Sequence, residues 1–271
     1  LVTANSVEVY PLAQLLIRRD GAVGRIVFSN PAKFNAMSAD MWRALPVELA
    51  RLDADPSIRL VVLEGDGDKA FVSGADISQF ETRRGTEDGQ REYGRAVEAA
   101  YQAPVNCSKP VIAKIRGICM GGGLGLAAAC DLRICSSDAR FRMPAARLGL
   151  GYNVPGVQRF LTVIGAQNTF DLFFSARIFG ADDALRMGFV TRVVAPERLD
   201  AEVDAWAAMV AENAPLTMKA LKLTVNTLLQ EPAARDMPAI DRALAACMNS
   251  DDYREGARAF MEKRKPDFKG R

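Results

Sequence analysis

Histidine is absent from this chain. That removes the imidazole base, the Ser–His and Cys–His relays and every His-ligated metal centre, leaving acid–base work to carboxylates, Tyr, Lys, Cys or water. Cysteine is sparse. Cys107, Cys119, Cys130, Cys135 and Cys247 are odd in number and contain no CxxC pair. They read as small buried hydrophobes in a reducing compartment, and no metal site is expected. Long apolar runs are also missing: the longest uncharged one, residues 117–130, is interrupted by glycines and too short to span a bilayer. Nor is there an excess of one charge. The 35 Lys+Arg face 33 Asp+Glu, and a net +2 gives no basic field for nucleic acid. No basic stretch followed by an apolar block opens the sequence, so a cytoplasmic location is expected.

What is present suits a packed core. Hydrophobic residues make up 49% and charged residues 25% of 271, enough for one large domain or two small ones and too apolar for wholesale disorder. Asp20-Gly21 separates two strand-like runs, residues 15–19 and 23–28, as a hairpin signal does. Ser38 caps a helical stretch with Met41, Leu45, Leu49 and Leu52 on one stripe, and Pro46 within it predicts a kink or a late start. Further strands are predicted over 58–63, 110–115, 132–135, 140–143 and 189–194, with helices over 87–101 and from the glycine cluster to about Cys130. Residues 144–155 read as a loop. Two strands often precede one helix, which suggests an α/β fold of stacked β-β-α units rather than a plain doubly wound sheet. After Pro196 only helices follow, over 199–211, 216–229, 233–248 and 251–262. They are amphipathic and lack a core of their own, so they are expected to cover the main domain or a neighbouring subunit. The division expected is a core over 1–195 and a helical region over 196–271.

Two segments invite chemistry. Residues 117–125 hold five glycines in nine positions between a strand and a helix. The spacing fits neither a dinucleotide fingerprint nor a phosphate loop, which leaves tight helix–strand packing or an oxyanion hole of backbone N–H groups. The second segment, Phe71-Val72-Ser73-Gly74-Ala75-Asp76-Ile77, reads alone as a glycine turn capped by Asp76. Together, two backbone donors from two strand ends can converge on one carbonyl oxygen.

These segments, with Asn30-Pro31-Ala32-Lys33-Phe34-Asn35-Ala36-Met37, Lys109-Pro110-Val111-Ile112-Ala113, Ala181-Asp182-Asp183-Ala184-Leu185 and the tail from Glu255-Gly256 to Pro266, resemble the enoyl-CoA hydratase/isomerase (crotonase) superfamily in order and across nearly the whole chain. The resemblance implies a spiral of β-β-α units, a homotrimer or dimer of trimers, and acyl-CoA as substrate, with coenzyme A part of the thioester and no separate cofactor. It places the thioester oxygen on the N–H groups of Ala75 and Gly122. Lys33, Ala36, Asp76 and Ile77 would line the CoA path, and Phe260 and Lys263 would cover the nucleotide from the C-terminal helix. Ser73, Met120, Gly121, Pro144, Ala145 and Leu148 complete the implied substrate-binding set.

Two departures bear on mechanism. The positions of the family's two proton-transferring glutamates hold Gly125 and Ala145 here, and neither residue can move a proton. Leu148-Gly149 followed by Tyr152-Asn153 resembles the methylmalonyl-CoA decarboxylase branch, which makes Tyr152 the candidate proton donor. Three readings stay open: an enolate-stabilising acyl-CoA enzyme, a decarboxylase of a malonyl-type ester, and a catalytically silent CoA-binding protein. Arg147 is a candidate partner for a substrate carboxylate, and Asp131 reads as structural.

Overall fold

The computed structural model describes residues 8–9, 15–76 and 87–271. Two sheets share the strands of each repeating unit. The larger holds β1 (Glu8–Val9), β2 (Leu15–Asp20), β3 (Val23–Phe28), β4 (Leu60–Gly65), β6 (Val111–Ile115), β8 (Leu132–Ser136) and β11 (Arg192–Val194), in the order β1-β2-β3-β4-β6-β8-β11. The smaller is ordered β10 (Phe179–Gly180), β9 (Arg140–Arg142), β7 (Ile118–Met120) and β5 (Ala70–Val72). Each turn of chain therefore gives one strand to the large sheet, the next to the small sheet, and then a helix. β4 and β5 lead to α2 (Glu87–Asn106), β6 and β7 to α3 (Gly122–Ala129), and β8 and β9 to α4 (Val154–Ser175). This is the expected α/β spiral of β-β-α units.

Local chemistry sets the elements. Gly21 turns the β2–β3 hairpin at φ 56°, in the left-handed region glycine adopts without strain. The Ser38 side chain accepts from Met41 N at 3.2 Å and starts α1 (Ala39–Ala54), whose Trp42, Leu45, Leu49 and Leu52 are buried. The helix starts ahead of Pro46 and runs through it, so the late start expected from that proline does not occur. Both faces of the large sheet are covered, which is why β4 opens on the apolar run Leu60-Val61-Val62-Leu63 and β6 on Val111-Ile112-Ala113.

Several sequence expectations need correction. The long helix α4 was not visible in the sequence. It begins inside the expected loop over 144–155, where Asn153 caps it by accepting from Gly156 N at 3.0 Å. Strand structure in the 189–194 run is confined to β11. After α5 (Ala181–Arg186), α6 (Leu199–Ala211) belongs to the core layer. Its Leu199, Val203 and Ala207 bury against Leu60, Val62 and Ile112, and its Asp200 accepts from Lys114 at 2.8 Å and Arg116 at 3.0 Å. Only α7 (Pro215–Leu228), α8 (Met237–Met248) and α9 (Asp251–Met261) form an outer layer. Asp131 joins that layer to the core, since one of its oxygens accepts from Val111 N and from Lys222 Nζ of α7, each at 2.7 Å.

Cys107, Cys119, Cys130 and Cys135 are buried free thiols, and Cys247 is half-buried. Burial pushes the Cys107, Cys130 and Cys135 thiols up to about 12 and Cys119 well above its usual value, which keeps them inert. Among the described residues no helix is long and apolar enough to cross a membrane, and no acidic or thiol cluster could hold a metal ion.

Candidate functional site

Strand order builds the site. β5, β7 and β9 are parallel neighbours in the small sheet, so the segments leaving their C-terminal ends (residues 73–76, 121–122 and 143–145) emerge side by side. Gly121 N donates to Arg142 O at 2.9 Å, which ties the second segment to β9. A methyl built on Gly74 would stand 3.5 Å from Met120 O and 3.9 Å from Gly122 N; one built on Gly121 would stand 3.8 Å from Pro144 Cδ. Met120, Gly121, Gly122, Gly74 and Pro144 are thus in mutual contact range.

The two expected donors are both left open. Met37 donates to Gly74 O at 2.8 Å and accepts from Asp76 N at 2.9 Å, a parallel bridge that brackets Ala75 and turns its own N–H to the other side. Gly122 is the first residue of α3, where backbone N–H groups lack intrahelical acceptors, and no side chain caps this end. Gly121 makes that entry possible by taking φ 51°. Among the described residues neither the Ala75 nor the Gly122 N–H has a hydrogen-bond acceptor. Two unpaired donors on adjacent strand ends can hold an oxygen that gains negative charge.

The rim comes from the 31–37 segment. Lys33 Nζ meets both Asp76 oxygens, at 3.1 and 2.8 Å, and Ser73 Oγ donates to Lys33 O at 3.0 Å. Lys33, Ser73 and Asp76 therefore sit together, with Ala36 buried behind them. Ala145 is buried, whereas Leu148 and Arg147 are exposed. Phe260 lies at the end of α9, which packs on α8 and on Phe268 near the chain end, and is 82% exposed; Lys263 follows that helix. Ile77 lies outside the described residues.

A second phenol changes the reading of Tyr152. The Tyr152 ring packs edge-on against Phe160 and Phe173, with centroids 6.5 and 5.1 Å away, so its body is part of the aromatic core. Its phenol neighbours Tyr101 of α2, which sequence reasoning missed. Tyr101 Oη donates to Gly122 O at 3.3 Å, and its ring stands edge-on to Trp42. A methyl on Gly125 would fall 2.7 Å from Tyr101 Cζ and Oη, so the ring occupies the space a side chain at 125 would need. Tyr101 thus meets the first turn of the glycine-rich helix, at Gly122 and Gly125, with Tyr152 as its neighbour. The sequence signal was slight. Tyr93, Val97 and Tyr101 form an i, i+4, i+8 stripe, as any helix–core contact does. Burial pushes the Tyr101 phenol well above its ordinary range, with Tyr152 adding to the shift, and burial raises Tyr152 as well. Both hydroxyls stay protonated through neutral pH, which suits them to donate protons rather than to abstract them.

A sequence model described as "Enoyl-CoA hydratase/isomerase" matches residues 18–271. The chain is 32% identical to a crotonyl-CoA hydratase of Syntrophomonas wolfei, over 94% of this chain and 97% of that protein. It is 35% identical to a probable enoyl-CoA hydratase of Rhizobium meliloti, over 95% and 98%. Among solved structures, an enoyl-CoA hydratase/carnithine racemase from Magnetospirillum magneticum superposes with a TM-score of 0.91 at 33% identity, covering 98% of this chain and 97% of that one. Fold and sequence agree, and the chain belongs to the enoyl-CoA hydratase/isomerase family.

Proposed function

We propose that this family member binds an acyl-CoA thioester with its carbonyl oxygen between the Ala75 and Gly122 N–H groups and turns it over through the enolate. The carrying observation is the pair of unpaired backbone donors on the neighbouring ends of β5 and β7. As charge moves onto the oxygen, two fixed donors strengthen their hydrogen bonds without reorganising, which lowers the barrier to the enolate. Hydration through a glutamate pair is not part of the proposal, because Gly125 and Ala145 stand at those positions. Lys33 and Asp76 form the rim where the CoA chain would enter.

A second reading is favoured by the phenols. Decarboxylation of a malonyl-type CoA ester needs no base: the carbon–carboxylate bond breaks, its electron pair becomes the enolate, and carbon dioxide leaves. The protein then supplies one proton, and two protonated phenols are better placed for that than for drawing a proton from water. Purified protein assayed with crotonyl-, longer enoyl-, malonyl- and methylmalonyl-CoA decides the matter. Very slow hydration is expected, with carbon dioxide released from a malonyl-type ester. Brisk crotonyl-CoA hydration would overturn this account, and stoichiometric binding without turnover of any ester would make the chain a CoA-binding protein.

Assembly into trimers or hexamers is part of the proposal. Phe174, Leu221, Phe260 and Met261 are exposed on α4, α7 and α9, more large apolar surface than a monomer normally leaves to water. Phe260 and Lys263 would then serve the CoA nucleotide of a neighbouring copy. Sedimentation at micromolar concentration is expected to give a multiple of 29.4 kDa, and a clean monomer would remove this element.

A further inference from the structure

We propose that Tyr101, backed by Tyr152, is the proton donor to the α-carbon of the enolate, occupying from α2 the space that α3 leaves open at Gly125. The inference rests on the enolate reading above. Gly122 and Gly125 are three residues apart in α3 and so share a helix face. Tyr101 covers that face: its hydroxyl is 3.3 Å from Gly122 O, and its ring abuts the site of a Gly125 side chain. Trp42, fully buried and edge-on at 5.8 Å between centroids, fixes the ring from one side. The Tyr152 phenol, its ring held by Phe160 and Phe173, neighbours it on another side. A phenol whose proton rests on the Gly122 carbonyl can give that proton to another acceptor instead. Tyr101, Gly125, Glu98, Asn153 and Arg159 also line a cavity of about 30 Å³, which is room for roughly one water and a route for the proton's return.

The step balances simply. The Tyr101 O–H bond breaks, a C–H bond forms at the α-carbon from the enolate's electron pair, and the thioester carbonyl is restored. The phenolate left behind takes a proton from water.

The test runs the productive ester in D₂O with wild type, Tyr101→Phe and Tyr152→Phe. Phenylalanine keeps each ring, so packing at Gly125 and against Phe160 is retained. Wild type is expected to place deuterium on one face of the α-carbon. Tyr101→Phe should lower kcat by roughly 10²-fold or more, with KM unchanged, and should scramble the face of protonation because water replaces a fixed donor. Tyr152→Phe should slow turnover less and keep the stereochemistry. The proposal is overturned if Tyr101→Phe retains wild-type rate and stereochemistry, or if Tyr152→Phe alone scrambles it. It is also overturned if wild type binds acyl-CoA but protonates no α-carbon. Calorimetry with acyl-CoA separates these outcomes from failure of the site reading itself: if wild type binds no ester, the oxyanion site falls too.

Discussion

Gly122→Pro is expected to turn over its acyl-CoA about 10²- to 10³-fold more slowly than Gly122→Ala, the usual cost of losing one oxyanion-hole donor. Comparing the two variants isolates the N–H. Either substitution adds a Cβ that meets Trp42 Cζ2 at 3.0 Å, so both carry the same local crowding. Only proline deletes the donor. Position 122 is the first residue of α3, where proline's fixed φ is compatible with the helix and no intrahelical bond is lost. Gly121 has no side chain to meet the proline ring. Ala75→Gly, which keeps its N–H, should be mild. Steady-state rates on one ester, with acyl-CoA affinity by calorimetry and thermal melting as controls, give the answer. Equal rates for Gly122→Pro and Gly122→Ala would remove Gly122 from the oxyanion hole.

Building a glutamate pair into this site is expected to fail unless Tyr101 is removed as well. With Tyr101 in place, the Cβ of Gly125→Glu would lie 2.7 Å from the phenol, well inside van der Waals contact. Overpacking of that kind costs typically 1–3 kcal/mol. Gly125→Glu with Ala145→Glu should therefore melt at lower temperature than wild type and gain little crotonyl-CoA hydration. Adding Tyr101→Ala opens the space. Because each general acid–base group contributes roughly 10²- to 10⁴-fold, the triple variant should hydrate crotonyl-CoA at least about 10²-fold faster than wild type. Crotonyl-CoA absorbance and thermal melting measure both arms. If the double variant hydrates as fast as the triple one, Tyr101 does not occupy that space.

The sequence by itself determined the elements that follow from local chemistry, and through its motifs the family. Asp20-Gly21 was enough for a hairpin, Ser38 for a helix start, and the apolar runs for β4, β6 and β8, because turn conformation, capping and burial on two sheet faces are written within a few residues. The glycine-rich strand ends around Gly74 and Gly121 left a mark in the sequence, whereas the choice of Ala75 and Gly122 within them came from the family resemblance. Helix α4 was not legible. Its apolar residues are spread around the helix, and Gly165 at φ 73° interrupts the helical backbone within it, so no clean stripe appears. The placing of α6 inside the core layer also depended on long-range packing. Tyr101 is the clearest case. Whether a tyrosine on an amphipathic stripe packs into a core or faces a site depends on which segments meet its tip, and here these are Gly122 and Gly125 on one side and Tyr152, some fifty positions away, on the other. Local sequence carries the propensity of each segment, whereas a contact between distant side chains exists only once the spiral has closed.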